Sequence, residues 1–171
     1  MSRDLSIHAS AVVQKNFSFT FVTPMVMHGA KRKEIAEFRI PSVRGILRYW
    51  WRTLQDETSP EFLLEKEEAI FGGTTNQQKS RVSFILQQPI TGYKSENVLP
   101  HKTSPVSLKS IEANKTAIIT MQTLHKHNEH FKLYDLYFQY ILHLAGMGQR
   151  ARRGFGACQW EEHKWGNKEM F

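Results

Sequence analysis

A single cysteine, Cys158, leaves no internal disulfide and no multi-cysteine zinc site within the chain. Long apolar runs are missing as well: nothing approaches the ~20 residues that a membrane-spanning helix needs. The opening MSRDLSIHAS has no secretory h-region, so the cytoplasm is the expected location. No P-loop, HExxH or GxSxG pattern occurs, which removes support for phosphotransfer, zinc proteolysis and serine hydrolysis; no cofactor is expected. Negative charge is scarce: 16 Asp and Glu stand against 23 Lys and Arg, for a formal net charge of +7.

That surplus is segregated. Lys31, Arg32, Lys33, Arg39, Arg44, Arg48 and Arg52 face only Glu34 and Glu37 in their stretch, and Arg150, Arg152 and Arg153 form a second basic cluster. Between them Asp56, Glu57, Glu61, Glu65, Glu67 and Glu68 are opposed by Lys66 alone. A chain patterned in this way presents a basic face, and nucleic acid or another anionic partner is the natural reading. With 171 residues and 40% hydrophobic content, residues 1–171 are expected to form one domain with its own core.

Periodicity outlines the elements. Phe17, Phe19 and Phe21 alternate with Ser18, Thr20 and Val22, a strand with one aromatic face. A long basic connection, about 23–41, follows, and Pro41-Ser42 opens a helix to about Gln55. With Val43 set at zero on a helical wheel, Ile46, Leu47, Trp50 and Leu54 fall within ~60° and mark the expected core stripe. Arg44, Arg48 and Arg52 follow at ~100°, ~140° and ~180° as a basic ridge, and Trp51 lies at the border near ~80°. There it either covers the core edge or stacks on a base. An acidic helix spans roughly Glu61 to Ile70 and ends at Gly72-Gly73; Ser80–Gln88 alternates as a second strand. Residues 89–115 show no period and contain Pro89, Pro100 and Pro105, a long loop. Thr116–Thr123 reads as a third strand, Phe131–Ala145 as a last helix and Phe155–Trp160 as a last strand. The polar residues of that helix fill a narrow arc, so its wide apolar band is expected to be covered by the long loops, another domain or another subunit.

Strand, helix, strand, strand, helix, strand is the split βαβ order, an α+β, ferredoxin-like, RRM-like antiparallel sheet with helices on one face. The third strand lacks the K/R-G-F/Y-G/A-F pattern of RNA-recognition motifs, so base stacking on the sheet is not supported. The strongest candidate for binding is the Gly-rich loop before the last strand, GMGQRARRGFG. Gly146, Gly148, Gly154 and Gly156 let the backbone approach another molecule, while Arg150, Arg152 and Arg153 supply forked cations suited to phosphate. The basic helix ridge and this loop are expected to meet in one phosphate-tracking groove. His125, His127 and His130 in HKHNEH invite a metal reading, but no cysteine supports them, and a solvated turn is expected.

Three stretches, FTFVTPMVMHGA (19–30), EFRIPSVRGILRYWWR (37–52) and GMGQRARRGFGA (146–157), with support from EEAIFGG (67–73), carry a family resemblance. The chain resembles the RAMP superfamily of CRISPR-associated proteins, and within it the first subunits of Cmr (type III-B) RNA-guided effector complexes. The resemblance implies a non-catalytic, RNA-binding subunit that contacts crRNA, target single-stranded RNA or both near the 3′ part of the guide, beside other Cmr subunits. It points to Arg39, Arg44, Arg48, Arg52 and the loop from Gly146 to Gly156. Members of that family are generally longer, with two ferredoxin-like halves, and the match lies in the first. RAMP relatives that process CRISPR repeats imply a rival reading, a metal-independent endoribonuclease with His28 as general acid/base.

Overall fold

The alternation of aromatic and polar residues decides which side of the sheet is buried. The computed structural model describes residues 11–31, 34–75, 77–99, 101, 103–104 and 106–162. In it Phe17, Phe19 and Phe21 of strand β1 (Val12–Phe21) are fully buried on the helix-covered face. Helices α1 (Ile40–Thr53) and α2 (Pro60–Phe71) follow, then strands β2 (Ser83–Leu86), β3 (Tyr93–Asn97), β4 (Ser107–Ile111) and β5 (Thr116–Leu124). Helix α3 (Asn128–Tyr140) runs into a wider π turn, Ile141–Ala145, and strand β6 (Cys158–Trp160) closes the order. The main sheet is β2-β5-β1-β6, antiparallel throughout, with Phe17 opposite Ile119 and Phe19 opposite both Ala117 and Trp160. This is the ferredoxin-like arrangement expected.

Phe138 of α3 is the hub of the core. Its ring meets Phe17 edge-on at 4.8 Å, Phe84 at 5.6 Å and Phe19 at 6.2 Å, tying two strands to one helix. Such aromatic pairs each add ~0.5–1.5 kcal/mol beyond the area they bury. The opposite sheet face is polar: Thr120 donates to Asn16 at 2.7 Å, and Thr20 pairs with Thr116 at 2.9 Å and donates to Glu161 at 2.8 Å.

The segment expected as a long loop holds a two-stranded sheet, β3 with β4. Its strands, YKSEN and SLKSI, are largely polar, the first mostly exposed and the second buried only at Ser110 and Ile111, so no apolar period announces them. They are held by backbone pairing and by a bridge in which Met25 and Ile111 exchange N–H···O bonds of 2.9 Å. The basic connection before α1 is likewise partly ordered, since Met25, Val26 and Met27 are buried. Arg32 and Lys33 lie outside the described residues. The apolar band of α3 is covered in part by α1, through Trp50 against Tyr140 at 5.1 Å and Gln55 donating to Tyr137 at 3.2 Å. Leu136 and Leu144 stay exposed.

Phe138→Ala removes the hub at a cost of ~3–5 kcal/mol, the scale of a large aromatic truncated in a packed core. Urea denaturation checks it, and a loss below ~1 kcal/mol contradicts the assignment.

Candidate nucleic-acid interface

The Gly/Arg loop is fixed by backbone before any ligand is considered. Gln149 N–H donates to the Val26 carbonyl at 2.7 Å, Gly156 N–H to Pro24 at 2.9 Å and Met147 N–H to Gly156 at 2.9 Å. Two glycines permit this approach. A Cβ on Gly148 would stand 2.5 Å from the Val26 oxygen, and one on Gly156 would fall onto the Met147 oxygen. Between these anchors Arg150 takes a left-handed conformation (φ 61°), Ala151–Arg153 form one 3-10 turn, and Gly154 ends it at φ 84°. Arg153 N–H closes the turn onto the Arg150 carbonyl at 2.8 Å.

This turn stands opposite α1 across a cleft of about 490 Å³. Ala145, Gly146, Gly148, Arg150, Ala151, Arg152 and Arg153 form one wall, and Ser42, Gly45, Ile46, Tyr49 and Trp50 the other. A smaller depression of about 180 Å³, lined by Met27, His28 and Gln149, continues it and shares Ser42, Ile46 and Gly148. Arg150, Arg152 and Arg153 form no ion pair among the described residues. Gly154 and Gly156 belong to the loop without lining the cleft.

The basic ridge of α1 does not join this wall, and the single groove expected from the sequence is corrected here. Glu67 of α2 has 3% of its side chain exposed, and Arg48 bonds it at 3.0 Å while Arg52 lies 3.2 Å from its other oxygen. A carboxylate buried to that degree requires cations, and it draws the ridge toward α2. Arg48 also donates to the last carbonyls of α2, Phe71 at 3.1 Å and Gly72, and its guanidinium lies 5.8 Å from the Phe71 ring. A cation at a helix C-terminus is favoured by the helix dipole as well. Arg44 faces the same side. Burial raises the Tyr134 hydroxyl above the ordinary tyrosine range, and Ser80's hydrogen bond with the charges of Arg44 and Arg48 opposes that. Arg39 precedes α1 and donates to the His28 carbonyl at 3.3 Å, with Glu37 at 4.0 Å. None of Arg39, Arg44, Arg48 and Arg52 lines the cleft.

The two tryptophans exchange roles. Trp51, the candidate for stacking, is buried against Phe71 at 5.9 Å; Trp50, assigned to the core, lines the cleft with one edge on the core. The buried α1 residues are Val43, Leu47 and Trp51, a stripe centred near ~40° on the wheel, and Leu54 is exposed. The cleft face runs from Gly45 at ~200° to Trp50 at ~340°, on the other flank from the arginines. Sequence reasoning missed Ser42, Gly45 and Tyr49; the available signal was the face left over once the arginine ridge is assigned to the acidic helix.

His28 is committed to the fold. Its Nε2–H donates to the Lys109 carbonyl at 2.7 Å, and Nδ1 is screened from solvent with no hydrogen-bond partner among the described residues. In the HKHNEH stretch, Arg81 donates to the His127 ring at 3.3 Å. Desolvation and then the Arg81 charge hold His127 and His130 below the ordinary histidine range. No cluster able to hold a metal ion occurs among the described residues. Burial pushes the Cys158 thiol up to about 12, which makes it a poor nucleophile. No described helix is long and apolar enough to cross a membrane.

The chain belongs to the RAMP superfamily, whose pattern matches residues 18–159. It is similar to the CRISPR system Cmr subunit Cmr1-2 of Pyrococcus furiosus, 27% identical over 84% of this chain and 92% of that protein. Its fold matches the apo crystal structure of Cmr1 from P. furiosus with a TM-score of 0.63 at 20% identity, covering 91% of this chain and 51% of that one. It also matches a chain of the type III-B Cmr-β complex bound to cognate target RNA, with a TM-score of 0.59 at 14% identity over 88% of this chain and 59% of that one. The chain thus spans about half the length of these two solved chains and most of Cmr1-2.

Arg48→Ala is expected to cost ~2–3 kcal/mol, because it leaves buried Glu67 undercompensated. Arg152→Ala and Arg153→Ala stay within ~0.5 kcal/mol of the parent. Thermal melts of the three variants check this, and equal losses contradict the division of labour between the two basic clusters.

Proposed function

We propose that the chain is a non-catalytic, RNA-binding subunit of a CRISPR type III-B (Cmr) ribonucleoprotein in antiviral defence. It contacts crRNA or target RNA near the 3′ end of the guide and packs beside other Cmr subunits. The observation that carries this reading is the wall of Arg150, Arg152 and Arg153, free of carboxylate partners among the described residues and facing an aromatic helix flank across an open cleft. Free guanidiniums on a turn take phosphates as bidentate forks. Holding Arg150 in the left-handed region costs of order 1–3 kcal/mol, a strain that tends to persist where function uses it. RAMP membership and the likeness to Cmr1-2 supply the biological setting. The hydrogen bond that ties His28 Nε2 to the Lys109 carbonyl favours the binding subunit over the nuclease.

The test is the salt dependence of binding to single-stranded RNA. For the parent, log affinity falls linearly with log salt, and replacing Arg150, Arg152 and Arg153 together by alanine flattens the slope by roughly 2, at ~0.7 per phosphate released. An unchanged slope and affinity in the triple variant overturns the reading.

A further inference from the structure

Gly45 sits in the interior of α1 in ordinary helical conformation, where glycine weakens the helix relative to alanine. The chain's own packing gives no reason for it: a Cβ built there meets no atom within 4 Å. Gly148 and Gly156 differ, since their missing side chains are replaced by neighbouring backbone. The open space above Gly45 is part of the α1–loop cleft. Beside it Tyr49, 45% exposed, meets Trp50 edge-to-face at 5.5 Å and 84°, so the two rings make a corner rather than a stack. Ile46 extends this floor with apolar surface that a phosphate would not use.

We propose that this corner holds one nucleobase, unstacked from its strand, against the bare α1 backbone at Gly45, while its phosphate meets the arginines opposite. The proposal deepens the RNA reading and rests on it. An aromatic face beside cations is how single strands are held, base by base, without sequence readout. The cleft volume lies in the range of ~300–1,000 Å³ that small planar ligands occupy. The side-chain-free patch lets the base edge reach the helix, the use glycine has wherever backbone and ligand meet closely.

The test compares short oligouridine with an oligomer of the same length carrying abasic ribose phosphates, equal in charge and lacking bases. Fluorescence anisotropy measures binding by the parent, Gly45→Leu, Tyr49→Ala and the triple-arginine variant. The parent is expected to prefer the intact RNA roughly tenfold, the scale of one base–aromatic stack. Gly45→Leu melts no lower than the parent, keeps its salt slope and binds both oligomers equally, at the abasic level. Tyr49→Ala narrows the preference in the same way and carries the test should the leucine variant melt early. A Gly45→Leu or Tyr49→Ala protein that keeps the parental preference overturns the base site. So does a parent without preference, and in both cases the RNA reading stands if the triple-arginine variant still flattens the salt slope. A parent that binds neither oligomer overturns both.

Discussion

The close backbone approach of residues 146–156 to residues 24–26 is the constraint on which the rest depends. These segments lie at opposite ends of the fold's sequence, after the first strand and before the last. They meet because Gly148 carries no side chain where the Val26 oxygen stands, while Gly156 lets the loop close on its own Met147 oxygen. The bonds from Gln149 to Val26 and from Gly156 to Pro24 then set the arginine turn at a fixed height beside α1. A loop held by its own backbone presents its cations already in place, so less conformational entropy is lost when an anion arrives. The π turn that ends α3 delivers the chain into this loop, with Gly146 N–H returning to the Ile141 carbonyl at 3.2 Å.

One buried carboxylate sorts the positive charge of the molecule into two kinds. Glu67 holds Arg48 and Arg52 against α2, and the same guanidinium of Arg48 satisfies the carbonyls that end that helix. Those arginines join two helices. The cations of the loop have no such partner among the described residues, and they face a helix flank built of glycine, tyrosine and tryptophan. A net charge of +7 therefore overstates what is offered to a polyanion, and position decides which charges are available.

The fold was legible because its signals are local. The Phe17-Phe19-Phe21 alternation has period 2, and Gly72-Gly73 stops a helix, with Gly72 at φ 77°. The β3–β4 hairpin was not legible, since largely polar strands without an apolar alternation leave no hydrophobic trace. The site was half legible. The loop arginines carry their meaning in the sequence, as three cations in four residues. The direction of the α1 ridge does not, because a wheel anchored on Val43 with Leu54 and Trp50 in the core is rotated by ~40° from the stripe of Val43, Leu47 and Trp51. That rotation exchanges Trp50 with Trp51 and hides Gly45 and Tyr49. Gly148 and Gly156 show a related limit: a sequence shows that a side chain is absent, but not that protein backbone fills its place.

Photocrosslinking of 5-iodouridine-substituted RNA, with the adducts mapped by mass spectrometry, tests most directly that RNA lies between α1 and the arginine turn. Adducts are expected on Tyr49 and Trp50 and on the peptide spanning Ala145–Gly156, and none on α2. Adducts confined to α2, or to the polar sheet face around Asn16 and Thr120, would contradict the account.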